Sequence, residues 1–204
     1  MVHITDGILA PEIWIAGIIL TGLLLVYTLS KIKVEDITKI SLVASAVFVA
    51  SLIHVPIGPS SVHLIFAGLA GILLGLGAFP AVFLAVLLQA LFFQHGGITT
   101  VGVNSLTMGL PALISYGVFT FIIKRTSWKH RFELGGSLAG GIAIFLALIF
   151  TSVALLTTGE ELIALVVLLV VSHVPVIIIE SVIVGSVAGF LRKVKPEMLV
   201  EVKK

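Results

Sequence analysis

The chain has no cysteine. Disulfides and thiolate metal ligation are therefore both excluded. Charge is nearly as scarce. Only 11% of the 204 residues are Asp, Glu, Lys or Arg, against about 25% in an ordinary soluble domain, and so little charge cannot cover a surface facing water. No Gly-rich phosphate loop closing on Lys-Ser or Lys-Thr occurs, so the chain has no such device for hydrolysing ATP. The His-Glu-x-x-His zinc motif is missing too. Ser172 and His173 are adjacent but lack a third partner to form an activated nucleophile. No enzyme is expected. Nor does the leading segment have the basic start, short apolar core and small-residue cleavage site of a signal peptide, so Met1 to Gly7 reads as a mature, functional terminus.

What the chain does have is apolar length, with 59% hydrophobic residues and a mean hydropathy of +1.27. A helix needs about 20 apolar residues to cross a bilayer. Candidate spans lie near 8–29, 37–55, 62–76, 79–95, 104–123, 134–157 and 161–191. The third is short and holds Gly68, Gly71 and Gly75, and the last is long and interrupted by Pro175. Six spans remain if the short one is re-entrant. A closed barrel would need alternating segments of about ten residues, whereas these runs are continuously apolar. The expected fold is all-α: one polytopic membrane domain over 1–204, with an N-terminal segment (1–7), transmembrane helices (8–191) and a cytoplasmic tail (192–204).

The twelve Lys and Arg residues test the span count. They fall at 31, 33 and 39, then 124, 125, 129 and 131, then 192, 193, 195, 203 and 204. These are alternate connections and the tail. The connections near 56–61, 96–103 and 158–160 contain none. By the positive-inside rule the C-terminus is cytoplasmic and the N-terminus outside, which requires an odd number of spans, hence seven. The setting is a multi-pass protein of the cell membrane.

On that topology four of six histidines gather at the outer face. His3 is in the N-terminal segment, His54 closes the second span, His63 opens the third and His95 ends the fourth. Gln94 and Asn104 lie beside them, with glycines shaping the loops. Imidazole suits nickel, copper, zinc and iron, whereas magnesium and calcium want oxygen cages. A single interfacial histidine is usually a polar tip at the headgroups; four on one face, in a chain this apolar, point to a metal. Position three adds to this. The Met1 amine, the Val2 and His3 amides and the His3 imidazole can close a planar four-nitrogen chelate, a geometry that favours nickel(II) or copper(II) over tetrahedral zinc. The other two histidines differ. His130, between Lys129 and Arg131, reads as an ordinary loop residue. His173 lies inside the last span, two turns before Glu180. Intramembrane ionisable groups are functional candidates, and the alternative is that they satisfy carbonyls freed at a kink around Pro175.

Three stretches together resemble one family. They are His3, Ile4, Asp6, Gly7, Leu9 and Pro11; then Pro59, Ser60, Ser61, Val62, His63 and Leu64; then Gln94, His95, Gly96, Gly97, Ile98, Thr99, Thr100, Gly102 and Asn104. The chain resembles, from residue 3 to about 191, the NikM/CbiM family of nickel- and cobalt-specific substrate-binding components of energy-coupling-factor importers. That resemblance implies a six-helix core with an extra N-terminal helix, and an N-terminal loop that dips into the core carrying the metal. It implies Ni(II) or Co(II) as transported substrate and no organic cofactor. The implied partners are a coupling transmembrane subunit, two ATPases and room for a small accessory membrane subunit, with lipid around them and no nucleic acid. Docking of the coupling subunit falls on small residues such as Ala46 and Ala50.

At one place the sequence departs from the family, whose members usually begin Met-His. There the amine, the histidine amide and its imidazole supply three nitrogens, and a second histidine, matched here by His63, supplies the fourth. Here Val2 intervenes. Loss of Met1 would restore the spacing with the Val2 amine; retention of Met1 lets the terminal peptide fill the plane alone, leaving His63 displaced or axial. The ligand set expected is thus Met1, Val2, His3 and His63, with His54, His95 and Asn104 nearby. The competing reading is a self-sufficient carrier or channel, with His173 and Glu180 as a proton-coupled path. Such carriers show inverted repeats with broken helices, and no convincing internal symmetry is found.

Overall fold

The computed structural model describes residues 3–57 and 60–200, with the backbone alone over 54–57 and 60–62. The all-α bundle is present: α1 (Pro11–Leu29), α2 (Ile37–Leu52), α3 (Ala67–Leu74), α4 (Ala78–Phe93), α5 (Val101–Arg125), α6 (Arg131–Leu156) and α7 (Ile163–Val194). Helices result because lipid offers no partner to backbone N–H and C=O groups, so each segment must bond within itself. Pro11 opens α1, where its missing N–H has no helical partner to lose. One element lies outside this scheme. A small antiparallel hairpin joins α2 to α3, with β1 (His54–Ile57) on β2 (Ser60–His63) and His54 paired with His63.

Among the described residues five helical runs are long and apolar enough to cross a membrane: Pro11–Leu29, Ala67–Phe93, Val101–Arg125, Arg131–Leu156 and Glu160–Val194. With 16 residues, α2 falls just short. The run from Ala67 is two helices rather than one rod. Gly75 adopts φ +58°, which glycine does without a Cβ penalty, and the chain reverses there. Gly71 and Gly75 lie against Ala112 and Tyr116 of α5, after which Phe79 meets Gly109, further back along α5. The far end of α4 reaches the end of α2, where Gln89 donates to Ser51 at 2.6 Å. The third expected span is therefore extended chain followed by a half-helix. Its start is set by the Glu180 carboxylate, which accepts the N–H groups of Ile65 and Phe66. The expected interruption at Pro175 is absent, and α7 runs through it for 32 residues. Membrane helices tolerate proline because neighbouring groups re-satisfy the freed backbone.

Apolar burial cannot hold helices together in lipid, so close packing must. A Cβ on Gly140 would stand 2.7 Å from the Glu180 carbonyl, and one on Gly68 only 2.6 Å from the Ala139 carbonyl. Backbones meet directly at these points. The glycines at 68, 71, 136, 140, 185 and 189 all face other helices of this chain. Helix α2 differs: Ala46 is exposed and Ala50 half-buried, beside exposed Leu42 and Val49. Helix α1 leans on α5 through Gly17 and Gly102, with Thr21 donating to the Gly102 carbonyl at 2.7 Å. Its other sides expose Ile15, Ile19, Leu23 and Val26.

The bundle has two chemically distinct ends. His3, His63 and His95 lie at one, and the described Lys and Arg residues at the other. At the basic end the tail folds back: Lys39 donates to the Met198 carbonyl at 2.8 Å, and the Val200 N–H to the Ile72 carbonyl at 2.9 Å.

Candidate metal centre

Residues 3–10 form no helix or strand, and the segment starts inside the bundle. Ile4 anchors it. Its N–H donates to Asn104 Oδ1 at 2.8 Å, and its carbonyl accepts from Asn104 Nδ2 at 2.9 Å and from the Thr100 hydroxyl at 2.6 Å. One buried amide side chain thus clamps one peptide unit from both sides. Asp6 provides a second anchor. Its carboxylate accepts from the N–H groups of Ile98 and Thr99 and from the Thr99 hydroxyl. These groups precede α5, where unpaired N–H groups favour an anion, and the Thr99 hydroxyl bond, foremost, holds the Asp6 pKa below its ordinary value.

The loop after α4 closes over the segment. Gln94 and Gly96 both take positive φ, +53° and +82°. A Cβ on Gly96 would stand 2.8 Å from Asn104 Nδ2 and 3.4 Å from His3 Cβ, and one on Gly97 would collide with Asp6. The His-Gly-Gly run is therefore required by how tightly the N-terminal segment is wrapped.

Inside this wrapping His3 is stacked on His63, ring centroids 5.2 Å apart and planes 26° from parallel. The two are 5% and 4% exposed. His63 Nδ1 lies 3.0 Å from the Leu64 carbonyl; a carbonyl only accepts, so Nδ1 carries the proton and Nε2 the lone pair. That Nε2, and both ring nitrogens of His3, are buried with no hydrogen-bond partner among the described residues. Burial pushes the His63 pKa down to about 4, and burial followed by the neighbouring His63 and His95 rings puts His3 well below 6.5. Both rings are neutral at ordinary pH, the state a metal requires.

The structure thus brings together His3, His63, His95 and Asn104. Met1, Val2 and the His54 side chain lie outside the described residues. Asn104, expected near the site, has both ends of its amide occupied by Ile4 and Thr100, so it positions the segment. His130 is exposed, 3.5 Å from Glu133. No group of three or more His, Asp or Glu side chains close enough to hold a metal exists among the described residues. Side chains alone do not make a complete site. Sequence reasoning missed the roles of Asp6, Thr99 and Thr100 as anchors, and nothing in their spacing relative to residues 3–6 signals a contact across more than 90 positions. On α7, Glu180 and His173 are fully buried. His173 bonds the Leu169 carbonyl, not that of Val171, the one Pro175 leaves without a helical donor.

Over residues 3–198 the chain matches the family described as CbiM, the cobalt uptake substrate-specific transmembrane region. It is 39% identical over 201 residues to a putative metal transport protein of Haemophilus influenzae, spanning 97% of this chain and 96% of that one. It is 32% identical over 209 residues to a putative fused nickel transport protein, NikMN, of Archaeoglobus fulgidus, spanning 97% of this chain and 68% of the relative. A crystal structure of a transition metal transporter superimposes with a TM-score of 0.81 over 96% of this chain and 94% of that one, at 24% identity, a likeness of fold.

Proposed function

The chain belongs to the CbiM family of substrate-specific transmembrane regions for cobalt uptake, and from that premise we propose that it captures Ni(II) or Co(II) at the outer face for an energy-coupling-factor importer. It is a membrane protein of cobalt and nickel transport, not an enzyme. The ion is cargo. The observation that carries the reading is the clamped N-terminal segment, which delivers His3 against His63 with both His3 ring nitrogens and His63 Nε2 buried and unpartnered among the described residues.

In this reading the terminal amine, one or two deprotonated amides and the His3 imidazole form a plane of nitrogens. His63 Nε2 completes it when the chain starts at Val2, and stands beside it when Met1 is kept. Nitrogen in a plane favours nickel over cobalt. Asn104 fixes Ile4, and with it the direction in which the preceding His3 presents its amide and ring. The two neutral imidazoles need lose no proton, so the protons displaced by the ion come from the amine and amides.

The distribution of Lys and Arg puts the histidine end outside and the basic end in the cytoplasm. Energy comes from two separate ATPases through a coupling membrane subunit, since this chain carries no phosphate-binding loop. A small accessory membrane subunit fits the same assembly. Support for partners comes from the Archaeoglobus relative, which is described as fused and extends beyond the part matched here. The coupling subunit docks on α2, where Ala46 is exposed and Ala50 half-buried; small residues there permit close approach of another helix.

Selective acetylation of the terminal amine tests the reading. It removes one ligand, adds little bulk and leaves every histidine in place. Equilibrium dialysis with Ni(II) is expected to give an affinity lower by roughly a hundredfold or more. A C-terminal tag is expected to change nothing. Unaltered nickel affinity after acetylation would sink the terminal chelate.

A further inference from the structure

Helix α7 holds two fully buried ionisable side chains that the terminal chelate does not use, His173 and Glu180. Seven residues apart, they are separated by about two turns and share one face. Strand β2, which ends in His63, packs against the same helix. The two groups differ in what they have left to offer. The Glu180 carboxylate is occupied by the N–H groups of Ile65 and Phe66. His173 is only half occupied.

Its Nδ1 lies 2.7 Å from the Leu169 carbonyl and 3.1 Å from the Ser172 hydroxyl, which itself donates to Leu169 at 3.0 Å. A carbonyl only accepts, so Nδ1 carries the proton and Nε2 is a bare lone pair. That nitrogen is buried with no hydrogen-bond partner among the described residues. His63 repeats the pattern, Nδ1–H on the Leu64 carbonyl and Nε2 buried and unpartnered. Geometry brings His63 to the same stretch of α7, because Ile65, two residues after it, is bonded to Glu180, two turns from His173, and β2 packs on that helix. An imidazole with one N–H pinned to a carbonyl and the other nitrogen bare is how proteins fix the tautomer and orientation of a metal ligand. Two buried bare lone pairs on facing elements are costly unless an electrophile or a proton donor meets them.

We propose that His173 and His63 form an inner metal station, which receives a borderline divalent cation, Ni(II) or Co(II), when it leaves the terminal chelate. The proposal rests on the reading of the histidine end as the capture site. Two neutral nitrogens hold such an ion far more loosely than a multidentate chelate, as a station that must also release it requires.

The test uses the full chain with its terminal amine acetylated, so that the outer chelate is disabled, and Co(II) as probe. Unpaired electrons on Co(II) shift the ring N–H protons of bound imidazoles far outside the ordinary proton NMR range. Acetylated protein is expected to retain Co(II), weakened by roughly a hundredfold or more relative to the free-amine form. Its shifted ring N–H signals should include one from each of His63 and His173. His173→Gln should remove one signal and weaken the residual binding by about tenfold or more, since its amide can still donate to the Leu169 carbonyl but offers no imidazole. His173→Asn serves the same purpose should the glutamine variant not fold. His130→Gln, exposed at the other end, should change neither quantity. The proposal is overturned if acetylated protein binds no Co(II), in which case the two lone pairs hold only water, or if every shifted signal survives the loss of His173. If acetylated and free-amine proteins bind Co(II) alike, the terminal chelate fails and the inner station stands.

Discussion

The two ends of the bundle treat their polar groups in opposite ways. At the basic end the polar side chains engage partners: Lys39 holds the Met198 carbonyl, Arg192 bonds the Lys129 carbonyl and stacks 4.9 Å over Phe132, and even Arg131 and Glu133, each with one buried unpartnered atom, meet the Thr126 carbonyl and His130 through another. At the histidine end the anchors of Ile4 and Asp6 are satisfied, yet among the described residues both His3 ring nitrogens and His63 Nε2 are buried and bare. A buried polar atom without a partner costs roughly 1–3 kcal/mol. Folded proteins keep such atoms where something else will fill them. The contrast teaches that the histidine end is built rigidly around an incomplete site, whereas the basic end is a finished surface.

Substitutions can break that contrast at several strengths. The largest effect is expected from Asn104→Ala, which strips Ile4 of both bonds to Asn104, leaving the Thr100 hydroxyl on its carbonyl but its N–H buried without a partner. Nickel affinity should fall by about ten- to a hundredfold although no ligand is removed, and equilibrium dialysis on folded variant would read it. Undiminished affinity would mean that the clamp does not position the site. His63→Ala comes next, and its effect depends on the first residue. A chain beginning at Val2 should lose about tenfold or more in affinity, and one retaining Met1 markedly less, because its terminal peptide already offers four nitrogens. Equal losses in the two forms, established by mass spectrometry and dialysis, would contradict this.

The pH dependence sharpens the same distinction. His63, at about 4, and His3, well below 6.5, are both neutral over most of the working range. The terminal amine, ordinarily near 7.7–8.0, therefore governs. Below that value log affinity should change by about two units per pH unit for a Val2 start, one proton from the amine and one from the His3 amide. With Met1 retained and a second amide ionised, the slope should be about three. For the metal-free protein the sign is set by the depressed imidazoles. Stability is complete above the unfolded value near 6.5 and is lost as pH falls from there toward 4, which thermal melts in detergent would follow. The smallest effect belongs to the other end. Lys39→Ala removes one half-buried bond and should cost about 1 kcal/mol or less, with nickel affinity unchanged.

Much of this was legible in the sequence, for a physical reason. Lipid forces continuous apolar runs into helices, so α1, α2 and α4 to α7 follow from hydropathy alone, and Lys and Arg mark their basic ends. The stretch from Val62 to Phe66 is just as apolar, yet it forms no helix, because Glu180, more than 110 residues away, takes the N–H groups of Ile65 and Phe66. No local pattern encodes that. The convergence of His3, His63 and His95 was readable from topology, since each sits at the same end of its segment. The clamping role of Asn104 was not. Proximity to the histidines suggested a neighbour of the metal, and only the geometry reveals that both ends of its amide are occupied. Pro175 misled in the other direction: it lies on an exposed face of α7, and the helix runs through it without a break.

The bond from Val200 to the Ile72 carbonyl has a mechanical consequence. Helix α3 is a strut of about 12 Å, fastened near its foot to Val200 and at its head, through Ile65 and Phe66, two and three residues beyond His63, to Glu180. A load applied to the tail, by a fused domain or a docked neighbour, enters this strut directly, without first having to deform the long helices. Val200 and the imidazole at position 63 are thus in series, like a handle and a jaw.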